Sequence, residues 1–72
     1  MEILETFASN VKKYRIKSGF SQEKLAEKTG LHRTYISDIE CCRRSISLKN
    51  IQLISNALGV ETYQLFLKEE KK

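Results

Sequence analysis

The stretch that most constrains this chain is Ser21 to Glu40, SQEKLAEKTGLHRTYISDIE, whose punctuation reads as two short helices joined by a tight turn. Ser21 offers a hydroxyl that can accept from a backbone N–H of the first turn, and Gln22, Glu23 and Lys24 are strong helix formers. Leu25 and Ala26 point inward. Gly30 falls where the first helix must stop and the chain must turn sharply, a position suited to a residue without a Cβ. A second helix then starts near His32. In it Ile36 and Ile39 lie three apart on one face, while Arg33, Thr34, Ser37 and Asp38 populate the other. That leaves one apolar edge to bury and one polar edge to present.

The remainder of the chain is cut to the same helical pattern. Residues 2–18 set Ile3, Leu4, Phe7, Val11 and Tyr14 against Lys12, Lys13, Arg15 and Lys17, an amphipathic helix that Gly19 ends. Phe20 precedes the Ser21 cap as a hydrophobic staple. After Glu40 the segment CCRRSIS is short, basic and aperiodic, and reads as a loop. Ser47 caps a further helix, LKNIQLISNAL, with Ile51, Ile54 and Leu58 on the core face and Leu48 at its head, and Gly59 stops it. Thr62 to Lys68 then forms a short last helix carrying Tyr63, Leu65, Phe66 and Leu67. Leu65 closes the core, whereas Tyr63, Phe66 and Leu67 exceed what a monomer's terminal turn needs and predict a dimer contact. Glu69 to Lys72 reads as a charged, frayed tail. With no proline and no alternating apolar runs, the expected fold is all-α, a compact five-helix single domain over residues 1–72.

Seventy-two residues suffice for one small core. A chain of about 60 residues buries only about 60% of its unfolded surface, so stability drawn from a partner is expected. The formal charge of +4 is uneven: residues 1–36 hold seven Lys/Arg against four Asp/Glu, and residues 37–72 six against five. A basic N-terminal half suits a polyanionic partner, although modest positive charge also serves solubility alone. No run approaches the roughly 20 apolar residues of a membrane span, and the N-terminus lacks the order of a signal peptide, so a cytoplasmic protein is expected. Adjacent Cys41 and Cys42 match neither a zinc spacing nor a disulfide framework and are expected to be reduced thiols.

The residues Gln22, Leu25-Ala26, Gly30, Ile36 and Glu40 carry a resemblance to the lambda-repressor-like helix-turn-helix of the XRE transcriptional regulator family. Val11, Tyr14 and Arg15 upstream extend it, as do Leu53, Leu58-Gly59-Val60 and Leu65 downstream. Within that family LHRTYISDIE followed by SISLKNI is most similar to the controller proteins of restriction–modification systems, which are dimeric regulators of their own operons. The resemblance implies that Arg15 pairs with Glu40, tying the first helix to the end of the second helix of the motif. It also places a glycine where this chain has Cys42. Either Cys42 takes a strained backbone, or the loop has another shape.

A motif of this kind presents the N-terminal residues of its second helix, here about 32–40, to base edges in a major groove while the first, about 22–29, braces on the backbone. Arg33 could donate two hydrogen bonds to guanine, and Thr34 could touch a thymine methyl or donate to a base. Ser37 and Asp38 lie one turn further in. Asp38 could accept from a cytosine amino group, repel wrong bases, or be paired within the protein. Phosphate positioning falls to Gln22, His32, Tyr35, Arg43, Arg44 and the helix start at Ser47, Lys49 and Asn50, with packing an alternative for Tyr35 and solvation for the arginines.

Three classes of function follow. The first is a sequence-specific regulator binding a pseudo-palindromic double-stranded operator as a homodimer, near the nucleoid and with RNA polymerase as a further partner. The alternative is a phage-type repressor or antitoxin-like regulator whose main partner is a protein. An enzyme is the weakest reading, since one histidine, no nucleophile–base spacing, no Gly-rich phosphate loop and no cluster of metal ligands are present. No cofactor, metal, membrane or small-molecule ligand is expected.

Overall fold

Serines open two of the helices through their side chains. In the computed structural model, which describes residues 1–68, Ser21 Oγ accepts from the Lys24 amide at 2.9 Å and Ser47 Oγ from the Asn50 amide at 3.2 Å. The resulting order is α1 (Glu2–Lys17), α2 (Gln22–Thr29), α3 (Arg33–Glu40), α4 (Leu48–Leu58) and a terminal 3-10 turn (Thr62–Phe66). Among the described residues there is no strand.

The α2–α3 turn is set by Gly30, at φ 78°, together with Thr29. The buried Thr29 hydroxyl donates to the Leu25 carbonyl at 2.9 Å and accepts from the Leu31 amide at 3.2 Å. A polar group inside the core thereby finds its partners, and the chain is held through the reversal. The second helix begins at Arg33, one residue later than the spacing suggests. His32 occupies the N-cap position in extended backbone, and its side chain makes no capping hydrogen bond.

Every helix contributes to one core. Phe7 and Val11 of α1 meet Leu25 of α2, Ile36 and Ile39 of α3, Ile51 and Ile54 of α4, and Leu65 of the terminal turn. The last α4 turn adds Leu58, while Leu48, expected to head its core face, is 86% exposed. It is the first residue of α4, and side chains on a helix lean toward its N-terminus, so Leu48 overhangs the loop instead of the core. Ile3, near the start of α1, is likewise exposed.

The fifth helix expected over Thr62 to Lys68 is instead a five-residue 3-10 turn, so the described residues form four α-helices. Its start is held by a capping box in which the Glu61 side chain and Gln64 satisfy each other's backbone amides. Its end is opened by Asn10, buried in α1, whose Nδ2 donates to the carbonyls of Leu65 at 2.9 Å and Leu67 at 2.8 Å. With those carbonyls taken, Leu67 passes into extended backbone at ψ 132°. The charged tail expected at Glu69 to Lys72 lies outside the described residues.

Helix α3 stops in a left-handed turn on a residue that is not glycine. Cys42 has φ 60°, and among the described residues it is the one non-glycine with positive φ. Its amide bonds to Ile39 O at 3.1 Å and the Arg43 amide to Asp38 O at 2.8 Å, the paired bonds of a Schellman end that ordinarily takes glycine. A left-handed L-residue costs about 1–2 kcal/mol, partly offset by the chain entropy a glycine would add. Cys42→Gly is expected to stabilise the fold by about 0.5–1 kcal/mol, read as a higher urea midpoint with unchanged slope.

Candidate nucleic-acid interface

The outer edge of α3 is built by what its inner edge is tied to. Ile36 and Ile39 are buried, which turns Arg33 and Thr34 outward, both exposed, and leaves Ser37 half-buried beside them. Those two buried side chains set which edge of the eight-residue helix faces in, and polar ties hold it there. The first is at Glu40.

There the side chain of Glu40, 3% exposed, receives Arg15 Nε on Oε2 at 2.7 Å and Arg15 Nη2 on Oε1 at 3.1 Å, a two-pronged pair. Arg15 Nη1 donates to the Phe20 carbonyl at 2.9 Å, and Gln22 Nε2 donates to Glu40 Oε1 at 3.1 Å. One ion pair thus joins α1, the α1–α2 connection, the first residue of α2 and the last residue of α3. Gln22, expected at a phosphate, spends one amide hydrogen inside the protein and keeps a second.

A second tie runs from the middle of α3 to the start of α4. Tyr35 is half-buried, its hydroxyl accepts from Asn50 Nδ2 at 2.9 Å, and the Arg44 guanidinium sits 4.8 Å over its ring. Asp38 faces the loop, where Arg43 Nε lies 3.4 Å from Oδ1 and Arg44 Nη2 lies 3.6 Å from Oδ2. Ser47 and Lys49 at the start of α4 are exposed, with the Ser47 hydroxyl engaged as its cap. The structure therefore brings Tyr35, Asp38, Arg43, Arg44 and Asn50 into one connected cluster. His32, Arg33 and Thr34 stand in solvent at the head of α3.

Sequence reasoning missed three of these links: Gln22 to Glu40, Asn50 to Tyr35, and Arg44 stacked on Tyr35. None has a local signature, since each joins residues in different elements. At the opposite end Tyr63 and Leu67 are 65% and 54% exposed, whereas Phe66 is half-buried and stacks on Phe7 with ring centroids 5.2 Å apart. Among the described residues no three His, Cys, Asp or Glu side chains gather as a metal site, and no helix is long and apolar enough to cross a membrane.

Comparison with known families gives a match to the Helix-turn-helix family over residues 11–65. The chain belongs to that family. The match takes in α2, the turn and α3 together with the Arg15–Glu40 tie and the Asn50 end of α4. Its relatives include the control protein C.BamHI of Bacillus amyloliquefaciens, 55% identical over 60 residues, which cover 82% of this chain and 74% of that one. Among solved structures, the restriction–modification controller protein C.AhdI from Aeromonas hydrophila superposes with a TM-score of 0.88 at 36% identity, covering 92% of this chain and all of the other. A tetramer of the controller C.Esp1396I in complex with its natural 35 base-pair operator matches with a TM-score of 0.84 at 38% identity, covering 92% and 87%. The family is XRE-like, and these relatives are restriction–modification control proteins.

Because Glu40 is almost fully buried, removing its partner leaves a stranded charge. Arg15→Ala is expected to destabilise this helix-turn-helix chain by about 3–5 kcal/mol in denaturant titration, and Arg15→Met with Glu40→Leu to recover much of that loss, since a matched apolar pair strands nothing.

Proposed function

We propose that this chain is a sequence-specific DNA-binding regulator that acts as a homodimer on a pseudo-palindromic operator and controls its own restriction–modification operon. The observation that carries the reading is the exposed head of α3, with Arg33 and Thr34 turned outward on a helix buried through Ile36 and Ile39 and tied from behind at Glu40. Arg33, Thr34 and Ser37 read base edges in the major groove. Gln22, His32, Tyr35, Arg43, Arg44, Ser47, Lys49 and Asn50 lie along the backbone on either side, supplying affinity and register. The operator complex of the C.Esp1396I tetramer supports this use of the fold.

Self-association follows from the length of one reading head. Eight residues of helix span only a few base pairs, so two copies about one helical turn, ~34 Å, apart are needed for useful specificity. Tyr63 and Leu67 give the second copy an apolar surface, with Phe66 at its edge and residues 1–72 acting as a single domain. A regulator of its own promoter works in the cytoplasm at the nucleoid and meets RNA polymerase there.

Fluorescence anisotropy on DNA upstream of the gene, against a scrambled duplex at two salt concentrations, tests the reading. Tight, cooperative binding to the upstream duplex alone supports it, and equal, weak, salt-steep binding to both refutes it. Arg33→Ala is expected to cost about 1–3 kcal/mol of discrimination while leaving the weak salt-sensitive binding in place. Leu67→Lys is expected to shift the protein toward monomer in sedimentation equilibrium, and to abolish cooperative operator binding without unfolding the chain.

A further inference from the structure

Granting that this surface binds DNA, the geometry points to Asp38 as a positioning residue that sets specificity through Arg43 and Arg44 instead of through a base. Its carboxylate holds both arginines in one orientation. Phosphates of a correctly seated operator then meet them, and phosphates of random DNA do not.

The carboxylate is placed by backbone before any charge acts. The Arg43 amide donates to the Asp38 carbonyl at 2.8 Å, folding the loop back over the last turn of α3. Both guanidinium groups then face the same side chain, one oxygen each, at 3.4 and 3.6 Å. These separations exceed the 2.7–2.9 Å usual for a charge-assisted hydrogen bond. The contrast with Arg15 on Glu40, at 2.7 Å with both partners nearly buried, is one of kind. Asp38 orients exposed cations; Glu40 locks a buried one.

Each arginine turns a single nitrogen toward Asp38, leaving most of its five N–H donors free for a second anion. Arg44 is further limited by its seat on the Tyr35 ring, which Asn50 holds by the hydroxyl. A phosphate can therefore be added to the cluster without taking it apart, provided it arrives from the direction the free donors face. That direction is fixed relative to α3, and so to the bases Arg33 and Thr34 would read. Loose complexes on random sequence lack that register, and in them the arginines stay with Asp38. Binding to random DNA comes almost wholly from cations reaching phosphates, so restraining two of them suppresses it selectively.

The test is Asp38→Asn, Arg43→Ala/Arg44→Ala, and the three changes combined, each titrated on the upstream and scrambled duplexes across a salt series. Asp38 is partly exposed and the amide keeps its shape; a thermal melt checks the fold. Asp38→Asn is expected to bind the scrambled duplex about threefold more tightly, the order set by exposed ion pairs. Its salt dependence there should steepen by about 0.9 for each added phosphate. Upstream binding should change less, so discrimination falls, and in the background without the arginines Asp38→Asn should change neither duplex. The same gain in that background would overturn the inference, showing a carboxylate that merely repels DNA. Lost upstream affinity with unchanged scrambled binding would overturn it equally, showing a base reader. A wild type that binds both duplexes alike refutes the regulator reading itself, a result visible before any variant is made.

Discussion

The buried carboxylate of Glu40 is the interaction on which the arrangement of this molecule depends. The helices around it are short, and α2 and α3 at eight residues each are below the length at which an isolated helix is stable in water. They exist because they are packed. Packing of Ile36 and Ile39 on a small apolar core sets which face of α3 lies inward, but apolar contacts alone are non-directional. A two-pronged pair with Arg15, plus a hydrogen bond from Gln22, has direction. It secures the orientation that the buried Ile36 and Ile39 give α3, and it does so at the end far from the exposed head, leaving Arg33 and Thr34 clear of structural duties.

The loop that follows is shaped by how α3 ends. The helix stops at Glu40, and the chain leaves through a left-handed residue, Cys42. A Schellman end sends the next two residues back across the last turn, which is why Arg43 and Arg44 come to stand over Asp38 and Tyr35. The basic cluster beside α3 is thus a by-product of how α3 terminates.

What could be read from the sequence was what local chemistry decides. Ser21 and Ser47 cap helices because a hydroxyl three residues before an amide suffices, and Gly30 turns the chain because positive φ disfavours any Cβ. The outward face of α3 follows from the three-residue spacing of Ile36 and Ile39. At Cys42 the sequence leaves two backbones open, and the choice is made by the bonds that the Cys42 and Arg43 amides donate to the Ile39 and Asp38 carbonyls. The 3-10 turn was not legible. Its end is held by Asn10, which takes the Leu65 and Leu67 carbonyls from 55 and 57 residues away, and no window along the chain contains both ends of that contact. Leu48 misled for a related reason: apolar periodicity marks a face, but the first residue of a helix can overhang its end. The cluster of Tyr35, Arg44 and Asn50 had its members named one by one, while their mutual engagement is a property of the tertiary fold.

Helix α1 joins these two halves. Asn10 and Arg15 project from it five residues apart, the first gripping the segment that carries Leu67 and the second gripping the end of α3. Both grips are hydrogen-bonded and largely buried, so the exposed apolar surface at one end and the exposed head of α3 at the other are held to one rigid element. In the proposed dimer that connection sets the separation of two reading heads. A palindromic site with half-sites one helical turn apart tolerates little slack, because a shift of one base pair rotates a half-site by about a tenth of a turn. A mobile join between the association surface and α3 would let each head find its own register and would lose the gain of binding as a pair. The polar side chains of α1 that reach into the interior, Asn10 and Arg15, are the ones that remove this slack.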